Sequence, residues 1–195
     1  MKEKVTNFSA FTIKHNGIAN RIVTAIRLSK AFDPANPPTS TFAQYETTAL
    51  WDTGATKSVV TEATARALGL TPVGTTLVNH AGGSSSHNTY LINFYLPNNV
   101  CVYGVLVSEC PDIAGSFGAI IGMDIISQGD FSITNCNGQT WMTFRVPSIQ
   151  PIDYVIEANK ITFAGVGRND PCPCGKKDAN NGKPIKYKYC HGITN

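Results

Sequence analysis

Ala49-Leu50-Trp51-Asp52-Thr53-Gly54-Ala55 is the stretch on which the fold turns. An apolar run that enters Asp-Thr-Gly reads as a strand ending in an acid and a tight turn. Taken alone it admits a plain reading, in which Asp52 caps a strand-end turn and Gly54 supplies a positive φ. Upstream, Phe42 to Trp51 is extended, after a Pro-rich loop over 33–41. Downstream, Thr61 is an N-cap candidate for Glu62-Ala63-Thr64-Ala65-Arg66-Ala67-Leu68. Gly69 closes that run, which predicts one short helix.

Further outward the signals are β. Phe11 to Lys14, His15-Asn16-Gly17 and Arg21 to Leu28 read as a hairpin or as two strands. Thr75 to Asn79 and Thr89 to Leu96 flank a pause at Ala81-Gly82-Gly83-Ser84-Ser85-Ser86, and Val100 to Val107 follows. Ala119-Ile120-Ile121-Gly122-Met123-Asp124-Ile125-Ile126 is apolar and precedes a last hairpin, Asp130 to Thr134 and Thr140 to Val146, turning at Asn137-Gly138. With 195 residues, 42% of them hydrophobic and 15% charged, the chain has apolar surface for a core and too little charge for disorder. The size excludes a large multidomain enzyme. No apolar run reaches the length of a bilayer span, and Lys14, His15 and Asn16 break the first apolar stretch, so neither a signal peptide nor a membrane partner is expected. The expected compartment is the cytoplasm.

Three features bear on Asp52 together. The glycine-rich segment lies 30 residues beyond it at Gly82, Ile120-Ile121-Gly122 lies 70 residues beyond it, and Asp124 with a closing hairpin follows. In this order the motifs resemble the retropepsin-like aspartic proteases over residues 10–147. The resemblance implies a mainly β, closed barrel with one short helix. It also implies hydrolysis of polypeptides by two carboxylates sharing a proton, one acting as base towards water and the other as acid towards the carbonyl oxygen. This chain holds one such motif, so the resemblance implies a homodimer that brings two Asp52 side chains together. Thr53 would then bond across the two-fold axis, Gly54 would admit the backbone, and Ala55 would narrow the cleft floor. Ala81, Gly82 and Gly83 would cover the substrate, and Gly122 would pack where no side chain fits. Asp124 is read as a structural cap, and His80 and His87 as solvated loop residues. Met123 departs from the pattern, because viral members carry Arg there. No cofactor is implied for the reaction.

The charge is uneven. Residues 160–195 hold seven of the sixteen Lys and Arg against two acids. Cys172, Cys174, Cys190 and His191 lie in this basic tail and offer three thiolates and an imidazole, a set that suits tetrahedral Zn2+. Four filled positions make a closed, structural site. Cys101, Cys110 and Cys136 stand singly and are expected to be reduced. Gly167-Arg168-Asn169-Asp170-Pro171-Cys172-Pro173-Cys174-Gly175 resembles the SEC-C motif, a zinc module at the C-terminus of the bacterial secretion motor ATPase and on many other bacterial proteins. Lys177 to Pro184 reads as a polar insertion into that motif. Lys176, Lys177, Lys183, Lys186 and Lys188 with Tyr187 and Tyr189 make a basic, aromatic face. Such faces meet protein partners or the ribosome in related modules, and a merely solvated face fits equally well.

The expected organisation is a protease-like domain over 1–147, a linker over 148–166 and a zinc module over 167–195. Two functions compete: an aspartic endopeptidase, and an adaptor that holds an extended peptide without cutting it. A zinc hydrolase is disfavoured because no pair of His residues stands one helical turn apart.

Overall fold

Alternation of buried and exposed side chains along Ile22–Lys30, with Ile22, Thr24, Ile26 and Leu28 buried and Ala25 and Arg27 exposed, makes this segment a half-buried strand. It is β2 of a mainly β chain. The computed structural model describes residues 7–38, 43–80, 83–111 and 117–192 and divides them between two units, Met1–Ile149 and Gln150–Asn195.

The first unit contains β1 (Ser9–Lys14), β2, β3 (Tyr45–Trp51), β4 (Val59–Thr61), α1 (Glu62–Ala67), β5 (Gly74–His80) and β6 (Gly83–Tyr95). It continues with β7 (Cys101–Cys110), β8 (Ala119–Ile121), the one-turn α2 (Met123–Ile126), β9 (Asp130–Cys136) and β10 (Gln139–Val146). Six strands close a barrel in the order β2-β3-β8-β4-β7-β6, and β6 returns to β2 through pairs from Arg27 with Tyr95 to Lys30 with Ile92. Closure leaves these strands no open edge. β5 stands outside the ring, paired to β6, and β1-β10-β9 form a separate three-stranded sheet.

The parallel pairs position the site. β3 runs parallel to β8 with Trp51 opposite Ile121, so the turns that follow, at Asp52 and at Gly122, leave the barrel side by side. Trp51 is held firmly. Its indole N–H donates to Thr24 Oγ1 at 2.9 Å. Its ring stacks on Phe131 at 5.5 Å and tilts against Phe144 at 5.3 Å and Phe11 at 6.1 Å, which ties the small sheet to the barrel. Burial of such a ring is worth about 3 kcal/mol. Phe94, Phe144, Leu28, Ile92 and Ile121 fill the centre of the core.

The helix expected after Thr61 is α1, and Thr61 Oγ1 accepts from the Thr64 N–H at its start. The hairpin at Asn137-Gly138 forms with both residues at positive φ. The first strands are two strands rather than a hairpin. After His15-Asn16-Gly17 the chain changes sheets, β1 pairing with β10 and β2 with β3 and β6. The turn itself is taken up by Thr140, whose carbonyl accepts from His15 N–H and whose N–H donates to Gly17 O. Strand pairing continues closer to the glycine-rich pause than expected: Ser84, Ser85 and Ser86 belong to β6 and pair with Asn79, Val78 and Leu77.

The second unit holds α3 (Tyr154–Thr162), within the segment expected as a linker, and then the cysteine-rich chain. Lys177 to Pro184 folds back on itself: Lys177 bridges Pro184, and Asp178 N–H donates to Lys183 O at 2.8 Å. Among the described residues no helix is long and apolar enough to cross a membrane.

Candidate active site and metal centre

Asp52 sits half-buried on the loop from β3 to β4. Its backbone N–H donates to Ile121 O at 3.0 Å, extending the β3–β8 ladder by one step. Among the described residues its carboxylate accepts one hydrogen bond, from Gly54 N–H to Oδ1 at 2.8 Å, while Ala55 N–H closes the turn on Asp52 O at 3.2 Å. Among the described residues Oδ2 accepts no hydrogen bond. Gly54 does not take a positive φ. Its lack of a side chain matters for proximity, since a Cβ would stand 3.2 Å from Asp52 Oδ1. Thr53 is exposed and Ala55 half-buried.

The loop is clamped from below. Gly122 lies against it so closely that a Cβ would come within 2.6 Å of the Lys57 carbonyl carbon and 2.8 Å of Ala55 O, both backbone atoms that cannot swing aside. Met123 N–H donates to Ala55 O at 2.8 Å. Asp124 accepts from Ser58 N–H at 3.0 Å, from Ser58 Oγ at 2.7 Å and from Ile125 N–H at 3.0 Å. Ser58 Oγ in turn accepts from Gly122 N–H at 3.0 Å. Ser58 is fully buried, so each of these partners replaces water that cannot enter. Asp124 is not the expected cap of the following helix: Gly122 is the N-cap of α2 and Asp124 lies in its first turn, where its carboxylate instead fixes the far end of the Asp52 loop through Ser58. Asp124→Ala leaves the buried Ser58 donors unsatisfied, an expected cost of ~2–4 kcal/mol, or roughly 5–15 °C in the unfolding midpoint. Thermal unfolding followed by circular dichroism reads this. A Ser58→Ala, Asp124→Ala double variant should lose little more than the worse single variant, because the two share one network.

A groove of about 560 Å³ opens beside this loop, walled by Lys57 and Val59, by Leu77 and His87 of the β5–β6 hairpin, by Ser108 of β7 and by Pro111 just after it. Leu77 is 72% exposed, and His87 is held by Ser85 Oγ at 2.5 Å. The volume is that of a site for a small ligand or a few peptide side chains. Of the residues expected to contact substrate, Ala55 spends its carbonyl on Met123, and Gly83 opens β6 opposite His80. Ala81 and Gly82 lie outside the described residues. Lys57, Val59, Leu77 and Pro111 are not legible as groove residues in the sequence, because four separate chain segments build the wall.

In the second unit Cys172, Cys174, Cys190 and His191 converge, their ligand atoms all within 4.8 Å of one another. Cys172 Sγ and Cys190 Sγ lie 3.2 and 3.3 Å from His191 Nδ1, and Cys174 Sγ lies 3.6 Å from Cys190 Sγ. A tetrahedral zinc with bonds of ~2.3 Å to sulfur has ligand–ligand edges of ~3.7 Å, so the set fits such an ion with little movement. The Lys176 N–H holds the Cys174 thiol below its ordinary value, whereas desolvation and then the Cys174 and Cys172 sulfurs push Cys190 up to about 11. A divalent cation relieves that crowding. Of the expected aromatic face, Tyr189 is 67% exposed with Lys188 Nζ over its ring at 4.9 Å. Tyr187 turns inward instead and packs on Phe163 at 5.6 Å. No disulfide forms among the described cysteines.

Comparison with known proteins accords with the first unit's geometry. A family model for aspartyl proteases matches residues 39–125, a span that runs from before the Asp52 loop to beyond Asp124, and supports protease function. Among solved structures the chain is similar to a retropepsin-like aspartic protease from Rickettsia conorii, with a TM-score of 0.43 and 10% identity over 72% of this chain and 96% of that one. It is also similar to the Simian foamy virus protease, with a TM-score of 0.33 and 22% identity over 42% of this chain and 81% of that one. A stretch of 35 residues, 18% of the chain, is 60% identical to protein translocase subunit SecA of Variovorax paradoxus, of whose length the chain spans 3%.

Proposed function

We propose that the chain is a retropepsin-like aspartic endopeptidase that acts as a homodimer, each copy lending Asp52 to one shared site. The observation that carries this reading is the Asp52 loop itself. One carboxylate is held at the loop's open side by Gly54, the loop is anchored by Asp124 and Ser58 on its buried side, and a groove of peptide-binding size runs alongside. The aspartyl protease family match over this region supports it.

In the assembled site the two carboxylates share one proton. The ionised one takes a proton from water, whose oxygen attacks the scissile carbonyl, and the protonated one gives its proton to the carbonyl oxygen. The tetrahedral intermediate collapses when a carboxyl protonates the leaving amine and the C–N bond breaks. Thr53 of each copy holds the two loops in register, and the chain segment Ala81, Gly82 and Gly83 covers the peptide and excludes water.

Cys172, Cys174, Cys190 and His191 hold a structural Zn2+ in a SEC-C-like tail, a reading that the short translocase match supports. A bound ion there joins chain segments that have almost no apolar core, and Lys176, Lys186, Lys188 and Tyr189 present a basic face to a protein or ribosomal partner. The cytoplasm, where thiols stay reduced, is the expected compartment.

Subunit mixing tests the dimer. If Asp52→Asn chains exchange freely with wild-type chains, a roughly tenfold excess of the variant lowers activity per wild-type chain about tenfold, because most wild-type copies are then paired with an inactive partner. Activity proportional to wild-type chains at every ratio would show that each copy works alone.

A further inference from the structure

The second unit has almost no apolar interior. Among its described residues only Cys172 is buried, at 3% exposure, while Tyr154 and Val155 on α3 are 57% and 69% exposed. Nine residues are too few for a helix to persist in water unaided. Yet the chain leaving α3 runs directly into the metal cluster. Phe163, whose N–H donates to Asn159 O at 3.0 Å and so completes the last turn, lays its ring on the His191 imidazole with centroids 4.7 Å apart and planes tilted by 39°. The same ring touches Tyr187. Tyr187 is fixed in turn: its N–H donates to Asp170 O at 2.8 Å, and Gly192 passes so close that a Cβ would stand 2.7 Å from its ring. Arg168 O accepts from Lys188 N–H at 3.0 Å, and Gly167 N–H donates to Asp170 Oδ2 at 2.8 Å, so the chain over 167–170 is pinned to the same cluster.

We propose that Phe163 is a positioning residue of the metal centre, outside the cysteine-rich motif, and that its ring makes α3 a metal-dependent helix. The imidazole has two jobs in this arrangement. Nδ1 faces the Cys172 and Cys190 sulfurs, and one ring face is covered by Phe163, which restricts rotation about the His191 side-chain bonds and presents Nδ1 to the ion. Held by the ion, the ring becomes the fixed surface on which Phe163 docks, and the helix N-terminal to Phe163 is ordered with it. Metal occupancy is thereby transmitted beyond the four ligands to the segment 154–163. This inference rests on the metal reading given above and adds a residue and a consequence to it.

The test uses the full chain, purified as it is and then stripped with a chelator and reloaded with Zn2+ or Co2+. Phe163→Ala is expected to weaken Zn2+ binding roughly tenfold in competition with a chromophoric chelator, the low end of what losing an outer-shell support costs. Phe163→Tyr, which keeps a ring on the imidazole, restores wild-type affinity. In the wild-type chain, amide exchange over 154–163 slows on metal loading, and in Phe163→Ala it stays fast although the ion is bound and the Co2+ spectrum still reports three thiolates. Wild-type affinity in Phe163→Ala, or exchange over 154–163 indifferent to metal, overturns the proposal. If the wild-type chain and Cys172→Ser take up equally little metal, the metal reading itself fails, and the proposal with it.

Discussion

Asp52→Asn is expected to abolish peptide hydrolysis, lowering kcat by ~10³-fold or more while leaving the fold and the groove in place. The expectation follows from what the amide retains and what it loses. Asn keeps an oxygen able to accept from Gly54 N–H, and it is isosteric with Asp in a half-buried position, so the turn closed by Ala55 N–H on Asp52 O should survive. It carries no negative charge, cannot take a proton from water, and cannot share one with the second copy. A pair of amides therefore has neither the base nor the acid that the reaction needs. The measurement is turnover of a diverse peptide library at mildly acidic pH, with products read by mass spectrometry, alongside unfolding midpoints for both chains. Products formed at wild-type rate by Asp52→Asn would exclude Asp52 from the chemistry. If the wild-type chain makes no products while both chains capture the same peptides, the adaptor reading takes over, with β5 at the rim of the sheet as the strand on which an extended peptide would lie.

What could be read in the sequence was local or marked by chemistry. Thr61 announces α1 because an N-cap hydroxyl and its first-turn partner lie within three residues. Asn137-Gly138 announces a hairpin because few other pairs accept two positive φ values. The Asp52 turn stands out only together with the glycine-rich segment and Ile120-Ile121-Gly122 that follow it in order, and the four metal-ligand candidates stand out because three thiols and an imidazole crowd one short tail. The remainder depended on distant partners. Nothing in Ser9–Lys14 says that its mate is β10 rather than β2, since alternation reports a half-buried strand and not its neighbour. Ser58 is one hydroxyl in a strand-like Ser-Val-Val. Its role as the bridge between Gly122 N–H and Asp124 exists only because β4 and β8 are brought antiparallel, Val59 opposite Ile120. The groove is assembled from the ends of β4, β5, β6 and β7, so no single segment carries its signature. Phe163 is similar: a ring nine residues before Cys172 has meaning only once the chain folds back on His191. The zinc-module boundary at 167, drawn from the motif, therefore leaves out a residue that touches the cluster.

On the proposed metal reading, stripping the chain with a chelator is expected to separate the two units more sharply than any point change in the first. Structural zinc in small domains contributes on the order of 10 kcal/mol, more than a chain of this kind with one buried residue has from packing, so stripping the full chain with a chelator, or Cys172→Ser, is expected to unfold residues 167–192. Loss of amide protection and of chemical-shift dispersion in that segment would be the readout. The first unit should keep its own unfolding midpoint, because Phe94, Phe144, Leu28 and the rest of its core lie wholly within Met1–Ile149. Peptide hydrolysis should also be retained by the stripped chain to within about twofold, since four protein ligands leave the ion no open position for a reacting water. This last result discriminates between chemistries. A zinc hydrolase would lose all turnover to the chelator and regain it with added metal, whereas a pair of Asp52 carboxylates is indifferent to both. Chelator-sensitive turnover that survives in Asp52→Asn would therefore move the reaction from the acid loop to the thiolate cluster, and would require that one of Cys172, Cys174, Cys190 or His191 leave the ion during catalysis.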